Sequence, residues 1–122
     1  MKPLVPLALL TAVLVAPPAQ AQRATNIQAR TAGELAELCA ANPKDPLGDA
    51  RINFCQGYAQ GALSTELRHS EGKKLFCFPS PPPTRAATMA QFVDWVRALP
   101  DHKSLPAAEG FFRFLGERFP CK

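Results

Sequence analysis

Residues 49–70 read DARINFCQGYAQGALSTELRHS, a long stretch in which apolar side chains recur every three to four residues. Ile52, Cys55 and Leu67 fall on this spacing, which is typical of the buried face of an α-helix. The stretch predicts a long helix over about 49–70, and this helix points to an all-α fold.

Two glycines, Gly57 and Gly61, lie one turn apart on this predicted helix. Each costs about 1 kcal/mol relative to alanine in a helix interior. Two interpretations stay open: the small residues admit another helix at close range, or the helix tolerates them without a packing reason.

Helices are also predicted on both sides of this stretch. Thr31 and Glu34 have capping-box spacing, and the helix that they open ends before Asn42, because the residue before Pro43 avoids the helical region. Residues 88–91 read TMAQ, a second capping box, and predict a helix that Pro100 stops. A last helix is predicted from about Pro106 to Phe119.

The connections between these helices are rich in helix breakers. Residues 71–87 are predicted to contain no regular helix, because four prolines within 79–83 fix the backbone and remove donors. Residues 101–103, Asp-His-Lys, are predicted to form a short polar turn. The sequence therefore predicts a small bundle of about four helices.

The last predicted helix carries more aromatic side chains than one face can hold. Phe111, Phe112 and Phe114 cannot all face one core at about 100° per residue. We expect one exposed aromatic side chain, which is typical of a partner surface. A helix buried on two sides, or a contact with a second copy of the chain, would also account for the surplus.

The first 21 residues have the pattern of a secretory signal peptide. Lys2 precedes an apolar run over residues 4–15, and Ala19-Gln20-Ala21 is a typical cleavage site. An uncleaved anchor or a buried N-terminal helix is the alternative, although the run is shorter than the ~20 residues of a membrane span. The prediction is a signal peptide over 1–21, a flexible leader over 22–30 and a helical domain over 31–122 without a membrane span.

Four cysteines follow the predicted cleavage site, at positions 39, 55, 77 and 121. An even number in a short exported chain predicts two disulfides, and four cysteines allow three pairings. Cys39 lies late in one predicted helix and Cys55 early in its antiparallel neighbour, which favours the pair Cys39–Cys55 and leaves Cys77–Cys121. A zinc site is the weaker alternative, because neither histidine lies at ligand spacing from a cysteine.

Composition and motifs argue against catalysis and against nucleic-acid binding. The formal net charge of +4 falls to +3 when Lys2 is removed, and the basic residues are scattered along the chain. Neither His69 nor His102 is part of a recognisable nucleophile motif, and no glycine-rich phosphate loop occurs. We therefore predict a non-enzyme with no catalytic residue, no cofactor and no metal.

Several short motifs together resemble the Rap/Tai family of bacterial immunity proteins, which neutralise peptidoglycan amidases injected through type VI secretion. The matching pieces are TAGEL (31–35), FCQGY (54–58), FCFP (76–79), QFVDWV (91–96), LPAA (105–108) and FPC (119–121). The resemblance implies an all-helical periplasmic domain with the pairs Cys39–Cys55 and Cys77–Cys121, and a function in binding and inhibiting a cognate amidase effector.

The matching motifs are scaffold residues and do not name the surface that contacts a toxin. We expect partner contacts at the polar turn Asp101-His102-Lys103 with Trp95 and Arg97 nearby, because a polar turn beside an aromatic residue can enter a cleft and because Trp and Arg are enriched among binding hot spots. A homodimer is a further expectation. The rival hypothesis is a periplasmic stress or chaperone-like helical protein without a cognate toxin.

Overall fold

The computed structural model describes Met1 and residues 26–122, so the predicted signal peptide, apart from Met1, and the start of the leader lie outside the described residues. The described chain forms five helices and no β-strand, which confirms the all-α prediction. The helices are α1 (Ala32–Cys39), α2 (Gly48–His69), α3 (Arg85–Ala98), α4 (Pro100–Ser104) and α5 (Ala107–Arg118).

Helix α1 lies at the centre of the bundle and packs against the other four helices. Its capping box is present as predicted: the Thr31 hydroxyl accepts from the Glu34 N–H at 3.2 Å, and the Glu34 carboxylate accepts from the Thr31 N–H at 3.4 Å. Its small residues, Ala32 and Ala36, are buried. A short helix with small side chains can thus contact several neighbours at close range.

Both disulfides form the predicted pairs. Cys39–Cys55 joins the end of α1 to α2, and Cys77–Cys121 joins the segment before α3 to the residues after α5. The turn between α1 and α2 depends on Gly48, because a Cβ atom at this position would overlap the carbonyl oxygen of Asn42. The turn and the first disulfide together hold α1 and α2 as neighbours.

Helix α3 begins earlier than the sequence predicted, so the capping box at Thr88 is wrong. The cap is Thr84, whose hydroxyl accepts from the Ala87 N–H at 3.1 Å. Thr88 lies inside the helix, is buried, and donates its hydroxyl to the Thr84 carbonyl at 3.0 Å. The proline run ends at Pro83, and the helix-favouring residues 85–87 can continue at once from the Thr84 cap. The predicted non-helical stretch 71–87 was therefore three residues too long.

The core is built mainly from aromatic side chains of α3 and α5. Phe92 packs edge-on against both Phe111 and Phe114, with ring centroids 5.7 and 5.6 Å apart. Phe111 and Phe114 are both fully buried, because they lie about 60° apart on the same face of α5, and Phe112 is half-buried. Of the three, Phe112 is the aromatic side chain that α5 leaves partly exposed.

Among the helical glycines, the tight contact with another helix lies at Gly110 and not at Gly57 or Gly61. A Cβ atom at Gly110 would lie 2.6 Å from the Ala32 Cβ, so α5 packs closely against the methyl group of Ala32 on α1. Nothing lies within 4 Å of a Cβ built at Gly57 or Gly61. The predicted tight contact at this glycine pair is therefore wrong within the described chain.

Candidate partner-binding surface

The predicted contact residues lie where α3 ends and α4 begins. Leu99 is extended, with φ −132° and ψ 132°, as the residue before Pro100 must be. Pro100 then opens α4, because its fixed φ suits a first helical position. The predicted polar turn over 101–103 is thus wrong: these residues form the body of a short helix. We call this region the α3–α4 corner.

At this corner the side chains of Trp95 and His102 are stacked. Their ring centroids lie 3.6 Å apart with planes inclined by 12°, and His102 is only 5% exposed. The His102 Nδ1 lies 2.7 Å from the Trp95 carbonyl oxygen. A carbonyl oxygen only accepts, so Nδ1 carries the proton in this contact. His102 therefore packs against one face of the Trp95 ring and is not itself exposed to solvent.

The Trp95 indole is also held by α5. Its Nε1–H donates to Oε2 of Glu117 at 2.7 Å, and Oε1 of Glu117 accepts from Nε of Arg113 at 3.0 Å. The indole N–H and then the Arg113 guanidinium lower the pKa of Glu117 below its usual range, because both bonds favour the carboxylate. Trp95 is thus fixed from two directions while its ring stays half-buried.

The other three predicted residues, Arg97, Asp101 and Lys103, are exposed. Within residues 26–122 their charged groups form no hydrogen bond or ion pair. The structure therefore joins Trp95 and His102 in one cluster and leaves three free charges beside them.

Sequence reasoning did not identify Glu117 and Arg113 as part of this site. Their four-residue spacing on α5 is a recognisable sign of a helical ion pair. The hydrogen bond from Trp95 to Glu117 joins residues that are 22 positions apart, so no local sequence pattern predicts it.

The sequence model of the Rap1a immunity proteins matches residues 31–121, from the Thr31 cap to Cys121. The chain belongs to the Rap1a immunity protein family. This membership confirms the resemblance seen in the sequence motifs. Comparison with curated proteins and with solved structures gives no significant match to the chain.

Membership of the Rap1a family implies that the chain binds a partner, a secreted effector protein. Immunity proteins are generally non-catalytic. The two disulfides fit an extracytoplasmic compartment, where oxidising conditions preserve them. In the part of the chain that the structure describes, no helix has the length and apolar character needed to span a bilayer.

Two polar side chains of α2, His69 and Thr65, contact carbonyl oxygens of their own helix. His69 Nδ1 lies 2.9 Å from the Thr65 carbonyl oxygen, and the Thr65 hydroxyl donates to the Gly61 carbonyl. Among the described residues, no three His, Cys, Asp or Glu side chains are grouped so that they could hold a metal ion.

Proposed function

We propose that this protein is a periplasmic immunity protein that binds and inhibits a type VI secreted peptidoglycan amidase. The observation that carries the proposal is the Rap1a family match over residues 31–121, which spans both disulfides and all five helices. The predicted signal peptide, cleaved after Ala21, would deliver the chain to the compartment in which such an amidase acts.

In this proposal the α3–α4 corner enters the substrate cleft of the amidase. Arg97, Asp101 and Lys103 supply charged contacts, and the accessible part of the half-buried Trp95 supplies apolar area. Trp and Arg are enriched among hot spots, and a side chain already held in place loses little conformational entropy on binding. His102 is a positioning residue that keeps Trp95 in its bound orientation.

The experiment is an amidase inhibition assay with the effector encoded by the same strain. The variant Arg97→Ala/Asp101→Ala/Lys103→Ala should lose inhibition by at least tenfold, because it removes exposed contacts without touching the core. The matched control is Lys44→Ala/Asp45→Ala/Arg51→Ala, which removes the same set of charges from the α1–α2 turn and α2. Full inhibition by the corner variant would reject this surface, and the absence of any inhibited amidase would favour the stress-protein alternative.

We further propose that two copies of the protein pair through a groove between α2 and α5. The groove has a volume of about 410 Å³. Its lining includes Gly57 and Gly61 and the half-buried side chains of Tyr58 and Phe112. The open space over both glycines would let a second helix approach closely, and a two-fold contact would place the same groove on both copies.

Sedimentation velocity of the oxidised protein tests the homodimer. Gly57→Leu/Gly61→Leu would fill the groove and should convert the dimer to a monomer. Ala50→Leu, also exposed on α2, is the control and should leave the dimer intact. A wild-type protein that sediments as a monomer at every concentration would contradict the proposal.

A further inference from the structure

Exposed apolar side chains are concentrated away from the α3–α4 corner. Within residues 26–122, five large apolar side chains are exposed, and three of them line one groove: Leu67 (76% exposed), Leu75 (52%) and Phe78 (37%). This groove measures about 260 Å³ and lies between the end of α2 and the segment that leads to Cys77. Single exposed apolar residues need no explanation, but a contiguous group is typical of an interaction site.

A second groove of about 560 Å³ lies on the other side of Phe78. It shares Cys77 and Phe78 with the first groove, and its far wall contains Arg118, Phe119 and Pro120. Cys77 and Phe78 therefore form a ridge that borders both grooves. We call the ridge and its two grooves the Phe78 surface.

The ridge is held rigidly in place. The Phe78 ring packs against the Phe76 and Phe119 rings at centroid distances of 5.3 and 4.9 Å. The Cys77 N–H donates to the Phe119 carbonyl at 2.7 Å, beside the Cys77–Cys121 disulfide. A surface that is already ordered loses little entropy when a partner binds.

The charges around the Phe78 surface are mainly positive. Lys73 and Lys74 line the first groove, and Arg118 and Lys122 line the second, whereas Glu66 is the one carboxylate side chain among the residues that line either groove. Complementary charge on a partner would guide association and orientation. The surface therefore suits a partner segment that carries both apolar side chains and carboxylates.

We propose that the Phe78 surface is a second protein-binding site, which takes an acidic segment with apolar anchor residues. Concave grooves on both sides of the ridge match protruding side chains of a peptide better than they match the flat face of a bilayer. The site shares no residue with the α3–α4 corner, so it goes beyond the proposed inhibition of an amidase and can be tested separately.

The probe is a phage-displayed library of random peptides, selected on the oxidised protein. We expect selected peptides to be enriched in Asp and Glu beside Leu or Phe. The affinity of a synthetic selected peptide should fall at least tenfold in Lys73→Glu/Lys74→Glu and in Phe78→Ala, and it should weaken as salt is raised. The lysine variant keeps the proposal testable if Phe78→Ala fails to fold, because both lysines are exposed.

The control is Lys44→Glu/Arg51→Glu, a similar charge reversal elsewhere on the exposed surface, which should leave the affinity unchanged. Peptides without acidic enrichment, or binding that both lysine and phenylalanine variants retain, would overturn the proposal. Vesicles that contain anionic phospholipid are tested in parallel. If no peptide is selected but the protein binds these vesicles, and Lys73→Glu/Lys74→Glu abolishes that binding, the proposal is overturned and the partner is a membrane surface.

Discussion

At the residue scale, the orientation of Trp95 depends on two side chains from different elements. His102 stacks on the indole and bonds the Trp95 carbonyl, and Glu117 accepts the indole N–H. Each contact restricts a different part of the residue: the ring plane, the backbone and the ring edge. A side chain restricted in this way can contribute rigid apolar area to an interface.

His102 should therefore matter for stability more than its exposed neighbours do. We expect His102→Ala to lower the free energy of unfolding by about 2–3 kcal/mol, because it leaves a carbonyl without its partner and removes a stacked ring. Lys103→Ala, on the same short helix, should change it by less than about 0.5 kcal/mol. Urea unfolding at neutral pH measures both, and equal losses would show that His102 does not support the corner.

Through Glu117, the stability that this cluster contributes depends on pH. Its pKa lies below the ordinary value of 4.5, first because of the Trp95 N–H and then because of Arg113. Its stabilising contribution is complete above the unfolded pKa and is lost as the pH falls through the lower folded pKa. Glu117→Gln should therefore lower the melting temperature at pH 7, and its difference from the wild type should shrink toward pH 3.

The control for this experiment is Glu37→Gln, an exposed carboxylate on α1. Melting temperatures at pH 7, 5 and 3 should show no comparable narrowing for this variant. A difference between Glu117→Gln and the wild type that stays constant at all three pH values would show that the charge of Glu117 does not contribute to stability.

At the element scale, the beginning of α3 depends on one hydroxyl group. Thr84→Ala should cost about 1 kcal/mol of stability, because it removes the side-chain acceptor from the Ala87 N–H. Thr65→Ala is the matched control, since Thr65 is exposed near the C-terminal end of α2 and its hydroxyl bonds only the Gly61 carbonyl, so that its removal should change stability little. Thermal unfolding followed by circular dichroism compares them, and a neutral Thr84→Ala would place the cap elsewhere.

The glycines of α2 and α5 should respond in opposite directions to the same substitution. Gly110→Ala should destabilise the protein by about 1–3 kcal/mol, because the new methyl group would overlap Ala32 on α1. Gly57→Ala should stabilise the monomer by up to about 1 kcal/mol, because alanine favours the helix and nothing lies in its way. Urea unfolding at low protein concentration measures both, and a stabilising Gly110→Ala would contradict the close α1–α5 contact.

At the scale of the whole molecule, the two disulfides close loops of different length. Cys77–Cys121 spans 44 positions and Cys39–Cys55 spans 16. Chain entropy alone assigns about 4 kcal/mol to the longer loop and about 3 kcal/mol to the shorter one. We therefore expect the loss of loop closure to lower the free energy of unfolding more in Cys77→Ser/Cys121→Ser than in the other double-serine variant. The same variant should also release the residues that hold the Phe78 surface.

Equilibrium urea unfolding of both double-serine variants measures these losses. Cys55 is fully buried, so its serine also carries a hydroxyl group into the core, which adds to the loss for the shorter loop. Cys55→Ala in place of serine separates the two effects. A loss below about 1 kcal/mol for Cys77→Ser/Cys121→Ser would show that the C-terminal residues hold their place without the covalent bond.

Features that depend on near neighbours in the chain could be predicted from the sequence. The Thr31–Glu34 capping box, the long helix around Cys55 and the breaks at proline follow from backbone geometry within a few residues. The pair Cys39–Cys55 follows from the short connection between two antiparallel helices. The start of α3 was also a local feature, and Thr84 after the last proline was the signal that the sequence reasoning missed.

The sequence by itself determined the helical class, the family and the set of residues proposed for the α3–α4 corner, and it favoured the disulfide pairs that the structure shows. Only the tertiary structure decided that His102 is buried under Trp95, that Glu117 holds the indole across 22 residues, and that Gly110 marks the close contact with Ala32. The reason is physical. Caps, prolines and helical periodicity act within a turn or two of the chain, whereas burial and side-chain pairing depend on how whole helices pack against one another.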